Sequence, residues 1–331
     1  MAQDLAGKYI LIQVAPFFGY DRVFAQALRD RGAVVDVLPD RPFDSAVLHA
    51  VAKVGRGMLL EHTNRIYRRQ LEEFGRSHYD HVLVVNGQTL SDDLLRQLRR
   101  DYPAARFTFY IWDSFENRPY AAAALRHYDA AFSFDRHAAR QHDIAFRPLF
   151  FSPEFDLPPN RDAEFDLSFI GTAHSDRPAI IHHVDQRLPA EASRYWFLYL
   201  KSPWVLSYQR ITNPHFRGIP SSMFSYQPLP RERVRTVFDR SRAFLDIEHD
   251  QQTGLTIRTF EALGARKKLI TTNSDIINYD FYNPSNVMVI DRREPAFDFD
   301  FLTSPIEELP PELRSRYSVN GWIDEVLGEK A

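Results

Sequence analysis

Cysteine is absent from all 331 residues, which removes disulfides, thiolate metal sites, iron–sulfur clusters and cysteine nucleophiles together and fits a reducing compartment. Charge of one sign is not in excess either. Forty-one Lys and Arg stand against 44 Asp and Glu, a formal −3, so there is no electrostatic footprint for a nucleic-acid backbone and no nucleic-acid partner is expected. Met1 to Gly7 holds no basic stretch followed by an apolar one, so no secretory leader is expected and the expected compartment is cytoplasmic. Long apolar runs are missing as well. The most apolar window, Tyr195 to Leu206, contains Lys201 and falls well short of the ~20 residues of a spanning helix; it reads as a buried strand. No HExxH motif appears, and His137, His142, His174, His182 and His183 follow no ligand spacing, so neither a bound metal nor a cofactor is expected.

What is present is ordinary for a folded protein, with 44% apolar and 26% charged residues, which excludes disordered, collagen-like and coiled-coil classes. Aromatics reach 14%, with 26 Phe and 15 Tyr, and predict large cores. At roughly 100–200 residues per domain, the length predicts two domains.

Lys8 to Val14 is a nearly continuous apolar run. After it, Val23, Phe24, Ala27 and Leu28 fall on one helical face, Gly32 suits a helix C′ position, and Ala33 to Leu38 supplies a second strand. This βαβ unit continues through His81 to Val85, a helix Ser91 to Arg100 with Ser91 as N-cap, Arg106 to Ile111, Ala130 to Phe134 and Ala145 to Leu149. Continuous apolar strands between amphipathic helices predict a parallel sheet covered on both faces. Residues 1–150 therefore read as one doubly wound α/β domain. The proline-rich segment 151–163 reads as a linker, and residues 164–316 as a second α/β domain. Val319, Trp322, Ile323 and Val326 predict a closing amphipathic helix within 317–331. Ligands of such domains bind at the carboxyl ends of the strands, which directs attention to a cleft between the two.

The most specific stretch is Thr253 to Asn273, TGLTIRTFEALGARKKLITTN. Thr253 and Gly254 read as a loop before a helix starting near Leu255, whose free N–H groups and positive dipole end suit an anion. Arg258 and Glu261, three apart, sit on one face: a cation suits a phosphate and a carboxylate suits ribose hydroxyls, while an intrahelical ion pair is the plainer alternative. Gly171 and Thr172 follow a strand and precede Ser175, Asp176 and Arg177 at a helix start. The glycine admits a phosphate and Arg177 neutralises it, or the segment is a plain turn. Lys201 ends a strand, as a further phosphate cation or only a terminating charge. In the first domain the loops after strands are Ala15 to Asp21, Asn86 to Thr89 and Trp112 to Asn117. Asp113 follows an apolar strand with Trp112 beside it for sugar stacking, and is the first candidate for a general base, with Glu116 and Asp21 as alternatives. Capping of the following turn is the other reading of Asp113. Arg56 to Arg69 reads as an internal helix with a solvated edge, or as an amphipathic helix resting on anionic lipid.

The run GLTIRTFEALGARKKLITTN resembles the donor-binding helix of GT-B glycosyltransferases, and the subgroup it resembles is the bacterial CgeB-like spore-maturation and polysaccharide-biosynthesis family. DLSFIGTAHSDR (Asp166 to Arg177) and YNPSNVMVID (Tyr282 to Asp291) support the likeness, which covers mainly residues 164–292. The resemblance implies an α/β fold of two Rossmann-like doubly wound domains facing a cleft, and a metal-independent enzyme transferring sugar from a nucleotide-activated donor. It makes Glu261 the partner of the ribose, Thr253 and Gly254 contacts of the diphosphate or sugar, and Arg258 a diphosphate cation. Retaining relatives carry a second carboxylate about eight residues before that Glu, where this chain has Gln251, Gln252 and Thr253. On this reading Gly171, Thr172, Arg177 and Lys201 complete the donor site, and Gly19, Asn86 and Trp112 face the acceptor. The expected partners are a nucleotide-sugar and a glycan, lipid-linked or small-molecule acceptor of bacterial surface polysaccharide assembly, with no transmembrane segment and peripheral membrane contact at the inner face. A sugar-nucleotide epimerase or an inactive nucleotide-sugar-binding protein are the alternatives.

Overall fold

A computed structural model describes residues 4–16, 19–40, 56–159, 162–249 and 253–328. Two compact units emerge, one of Met1–Leu149 with Val319–Ala331 and one of Phe150–Ser318. Gln251, Gln252, Arg161 and the Phe17–Phe18 tip of the first loop lie outside the described residues.

The first unit carries strands β1 (Tyr9–Val14), β2 (Val34–Pro39), β3 (His81–Val85), β4 (Arg106–Ile111), β5 (Ala130–Ser133) and β6 (Ala145–Phe146), all parallel in the order β2-β1-β3-β4-β5-β6. Its helices are α1 (Tyr20–Arg29), α2 (Arg56–Phe74), α3 (Asp92–Asp101), α4 (Pro119–Ala124) and α5 (Arg136–Gln141). Phe24, Ala27 and Leu28 of α1 are buried as its pattern predicts, and Ser91 caps α3 by accepting from Leu94 N at 3.1 Å. The terminal helix Val319–Leu327 belongs to this unit: Trp322 is 0% exposed, its ring 4.7 Å from that of Tyr110 and 4.9 Å from that of Phe24.

The second unit repeats the plan with β7 (Phe165–Thr172), β8 (Arg194–Tyr199), β9 (Phe224–Ser225), β10 (Ser241–Asp246), β11 (Lys268–Thr271) and β12 (Val287–Val289), parallel in the order β12-β11-β10-β7-β8-β9. Its helices are α6 (Arg177–Arg187), α7 (Pro203–Thr212), α8 (Arg231–Asp239), α9 (Ile257–Gly264), α10 (Asp300–Thr303) and α11 (Pro311–Arg316).

Several elements differ from the sequence reading. The window 195–206 is not one strand: β8 ends at Tyr199 and α7 begins at Pro203, since proline at a helix start ends the strand run while the apolar side chains continue across the break. The proline-rich segment after Phe150 is packed rather than loose, with Phe151, Phe155 and Leu157 buried and Phe151 N bonded to Tyr317 O at 2.9 Å. Among the described side chains of α2 the buried ones are Thr63, Asn64, Tyr67 and Leu71, while Arg65 and Arg69 pair along the helix with Glu61 and Glu73. The described part of α2 has the burial of an internal helix with a solvated edge. The side chains of Met58 and Leu59 lie outside the described residues.

Candidate functional site

In each sheet the chain leaves the first strand on one side, returns, and continues on the other. The switch lies between β1 and β3 in the first unit and between β7 and β10 in the second. Crevices at such points, beyond the carboxyl ends of the strands, are where doubly wound sheets hold ligands.

At the second switch a polar cluster closes over the ends of β7, β10, β11 and β12. Gly171 and Thr172 are the last two residues of β7 rather than a loop after it, and a Cβ at Gly171 would lie 2.8 Å from the Phe169 ring and force that ring to shift. Arg177 turns back on the sheet: its Nε donates to Ile247 O at 2.6 Å and its Nη1 to Thr172 O at 3.2 Å. It thus pins the ends of β7 and β10 together, a job the sequence reading did not assign to it. Asp176 precedes α6 but makes no side-chain cap. Its carboxylate accepts two bonds from Arg292, which also donates to Glu248 Oε1 at 2.5 Å and Glu248 O at 2.9 Å. Glu248 accepts from Thr272 Oγ1 at 2.6 Å as well. Burial pushes the Glu248 carboxyl up, with Thr272 and Arg292 opposing, whereas the Arg292 fork outweighs burial at Asp176 and holds it down.

His174 and His249 stack beside this network at 5.3 Å between ring centroids, with Ser175 Oγ 3.1 Å from His174 Nδ1 and 3.4 Å from His249 Nε2. Burial, reinforced by Arg177 and His249, lowers the His174 pKa to about 4, so its ring is neutral at pH 7.

The loop before α9 joins the cluster through Asn273, whose Nδ2 donates to Thr253 O at 3.0 Å and Gly254 O at 3.5 Å. The helix itself starts at Ile257, two residues later than the sequence suggests. Its N-cap Thr256 accepts from Arg258 N at 3.1 Å and donates to Asp246, which also takes Thr259 Oγ1 at 2.7 Å. Asp246, 4% exposed, therefore already occupies part of the helix-end field that reads as free in the sequence.

Arg258 and Glu261 lie on α9 next to this cluster, near enough that Arg258 acts on Arg177 and Asp246 acts on Glu261. Their side chains form an ion pair, Arg258 lies 5.2 Å over the Phe238 ring, and Arg231 and Glu154 are the next charges around Glu261. The pair is buried rather than solvated. Burial raises the Glu261 carboxyl above the ordinary carboxylate range while Arg258 pulls it back. Lys201 is exposed after β8 and joins none of these contacts.

At the first switch, Asn86 adopts φ +64 and Gly87 φ +59, two left-handed residues in succession. Asn86 Oδ1 accepts from Trp112 N at 3.1 Å, tying the loops after β3 and β4, and Asp40 steadies the former by accepting from Thr89 N at 3.0 Å and Gln88 N at 3.2 Å. A cavity of about 480 Å³ opens beside them, lined in part by Asn86, Gly87, Phe109, Tyr120, Arg126 and Tyr128. Trp112 is half-buried. Its ring packs against Tyr20 at 5.8 Å and Phe24 at 6.2 Å, on α1, whose N-cap is Gly19 at φ +73. Asp113 caps its turn, accepting from Ser114 N at 2.9 Å, Asn117 Nδ2 at 3.1 Å and Arg118 Nε at 2.9 Å. Glu116 is exposed and Asp21 half-buried in the first turn of α1, and among the described residues neither forms an ion pair.

Glu248, His249, Thr272, Asn273 and Arg292 were not legible as site residues. Each lies within three residues of the carboxyl end of a strand, the one signal that could have marked them. Asp298, Phe299 and Asp300 form a DxD triplet that the metal reading passed over; it starts α10, with Asp300 N bonded to Asp298 Oδ1 at 3.0 Å. Among the described residues no group of three His, Asp or Glu is placed to hold a metal ion, and no helix is long and apolar enough to cross a membrane.

No family model matches the sequence, and no curated protein matches it either. Solved structures do. A glycosyltransferase from Rickettsia africae is 11% identical with a TM-score of 0.55, over 98% of this chain and 100% of that one. The catalytic domain of starch synthase IV from Arabidopsis thaliana, bound to ADP and acarbose, is 10% identical with a TM-score of 0.57, over 97% and 94%. Anabaena HepE in complex with UDP-glucose is 9% identical with a TM-score of 0.54, over 96% and 98%. Two six-stranded parallel sheets with flanking helices give this chain the fold of the GT-B glycosyltransferases.

Proposed function

We propose that the protein is a glycosyltransferase that moves a sugar from a nucleotide-activated donor to a glycan, lipid-linked or small-molecule acceptor, without a metal ion, in bacterial surface polysaccharide assembly. The observation that carries this reading is the polar cluster at the switch between β7 and β10, within a fold shared with proteins solved with ADP or UDP-glucose. In this reading the diphosphate lies along Gly171, Thr172, Thr253 and Gly254, where backbone N–H groups and the start of α9 favour negative charge. Arg177 and Lys201 supply countercharge. Glu261 receives the ribose hydroxyls on the carboxylate oxygen that Arg258 leaves unused. Gly19, Asn86 and Trp112 shape the acceptor side, and a carboxylate among Asp113, Glu116 and Asp21 takes the proton of the attacking hydroxyl.

A second reading, a binder of nucleotide-sugars without turnover, draws on the engagement of both Asp113 oxygens by Ser114, Asn117 and Arg118. A thermal-shift series with nucleoside diphosphates and their sugars, with and without EDTA, tests both. Ligand at 100 times its dissociation constant adds about 2.7 kcal/mol, an easily read rise in melting temperature. No shift with any nucleotide sinks both readings. A shift without sugar transfer to any acceptor leaves the binder, and a requirement for added metal overturns the metal-free mechanism.

A further inference from the structure

Helix α7 buries one side and bares the other. Leu206 is buried in the core of the second unit and Val205 packs against it, but Trp204, Tyr208 and Ile211 are 71%, 58% and 75% exposed. They sit at i, i+4 and i+7, so they form one stripe. An exposed Trp, Tyr and Ile in line is the sort of apolar patch that marks an interaction surface.

The charges flanking the stripe along the chain are all of one sign. From Ala192 to Arg231 the sequence holds no Asp or Glu. Lys201 lies just before α7. Arg210 spends its guanidinium on Ile219 O at 2.7 Å and Ser221 Oγ at 3.0 Å, and Arg217 on the helix-end carbonyls of Arg210 and Ile211 at 3.2 and 3.1 Å. Among the described residues none of these three cations pairs with a carboxylate. The acid on the adjoining loop, Asp176, is already taken by Arg292.

We infer that the Trp204–Tyr208–Ile211 face of α7, flanked in the chain by Lys201, Arg210 and Arg217, docks on an anionic lipid surface. Trp and Tyr favour the headgroup level, Ile reaches the acyl boundary, and the uncompensated cations face the lipid charge. A second copy of the chain fits less well. A twofold contact on this patch sets the three cations of one copy against those of the other, and one face of a ten-residue helix is far smaller than the roughly 800 Å² per partner of a stable interface. Because α7 follows the carboxyl end of β8, and Asn213 Nδ2 bonds Ser175 O at 2.9 Å, docking brings the edge that carries His174 and Arg292 toward the membrane. This holds whether or not the protein transfers a sugar.

Co-sedimentation of the full chain with vesicles tests it, comparing phosphatidylcholine alone with a phosphatidylcholine–phosphatidylglycerol mixture. Binding is expected only with the mixture and falls as salt is raised. Trp204→Ser with Ile211→Ser is expected to weaken partitioning about tenfold or more, and Lys201→Glu about fivefold or more, with unchanged circular dichroism because all three side chains are exposed. Equal binding of wild type and variants, or none by wild type, overturns the inference. So does a wild-type dimer in sedimentation equilibrium that Trp204→Ser converts to monomer, which assigns the face to a second copy.

Discussion

Arg292 grips Asp176 through two parallel hydrogen bonds, Nε to Oδ2 at 2.7 Å and Nη2 to Oδ1 at 2.8 Å, across 116 residues of sequence. The same guanidinium holds Glu248, whose side chain is 9% exposed, so one cation compensates two carboxylates at the end of the second sheet.

Arg292→Met is therefore expected to cost about 3 kcal/mol at pH 7, because it strands Glu248 in a buried setting. Glu248 is already raised by burial, and loss of Arg292 raises it further. A carboxylate raised in the folded state costs stability as pH climbs through its folded value. The deficit should shrink between pH 7 and a more acidic measurement at pH 5, because protonation of a raised carboxyl removes the stranded charge. Urea denaturation at the two pH values checks this; a deficit independent of pH contradicts it.

His174 is lowered to about 4 in the folded state against about 6.5 unfolded, so the unfolded chain binds the extra proton between those values. Stability is expected to fall as pH drops from about 6.5 to about 4. His174→Asn should flatten that stretch of the profile by ~1 kcal/mol, well under the full shift because the ring is partly solvated.

The Arg258–Glu261 pair invites a double-mutant cycle. Arg258→Met leaves a buried carboxylate and should destabilise by about 3 kcal/mol, while Arg258→Met with Glu261→Gln should recover most of that loss. Isothermal titration of Glu261→Gln with a nucleoside diphosphate addresses the proposed ribose contact: affinity is expected to weaken by ~1–3 kcal/mol, and unchanged affinity removes Glu261 from the donor site.

For the proposed proton transfer, Asp113→Asn should keep the fold and nucleotide affinity while turnover falls ~10²–10⁴-fold. Parallel assays of Glu116→Gln and Asp21→Asn identify the base. If only one of those two abolishes turnover, Asp113 is a turn cap and nothing more.

Strand positions were legible because a strand covered on both faces must be apolar throughout. His81–Val85 and Arg106–Ile111 are bounded in the structure as their apolar runs predict. The same rule failed between Tyr195 and Leu206, where burial alone could not distinguish a strand from the first turn of a helix. The loop Thr253–Gly254 was marked by its own residues, since a small, turn-prone pair before an amphipathic run is a local signal. Its occupants were not: Thr256 and Thr259 look like ordinary helix residues until β10 sets Asp246 against their hydroxyls. Trp322 announced a buried face by helical spacing, yet only the fold brought it to Tyr110 and Phe24 at the other end of the chain. Local chemistry fixes element type and capping over a few residues. Pairings such as Arg292 with Asp176 depend on strand order, and strand order follows from how twelve strands share two buried sheets.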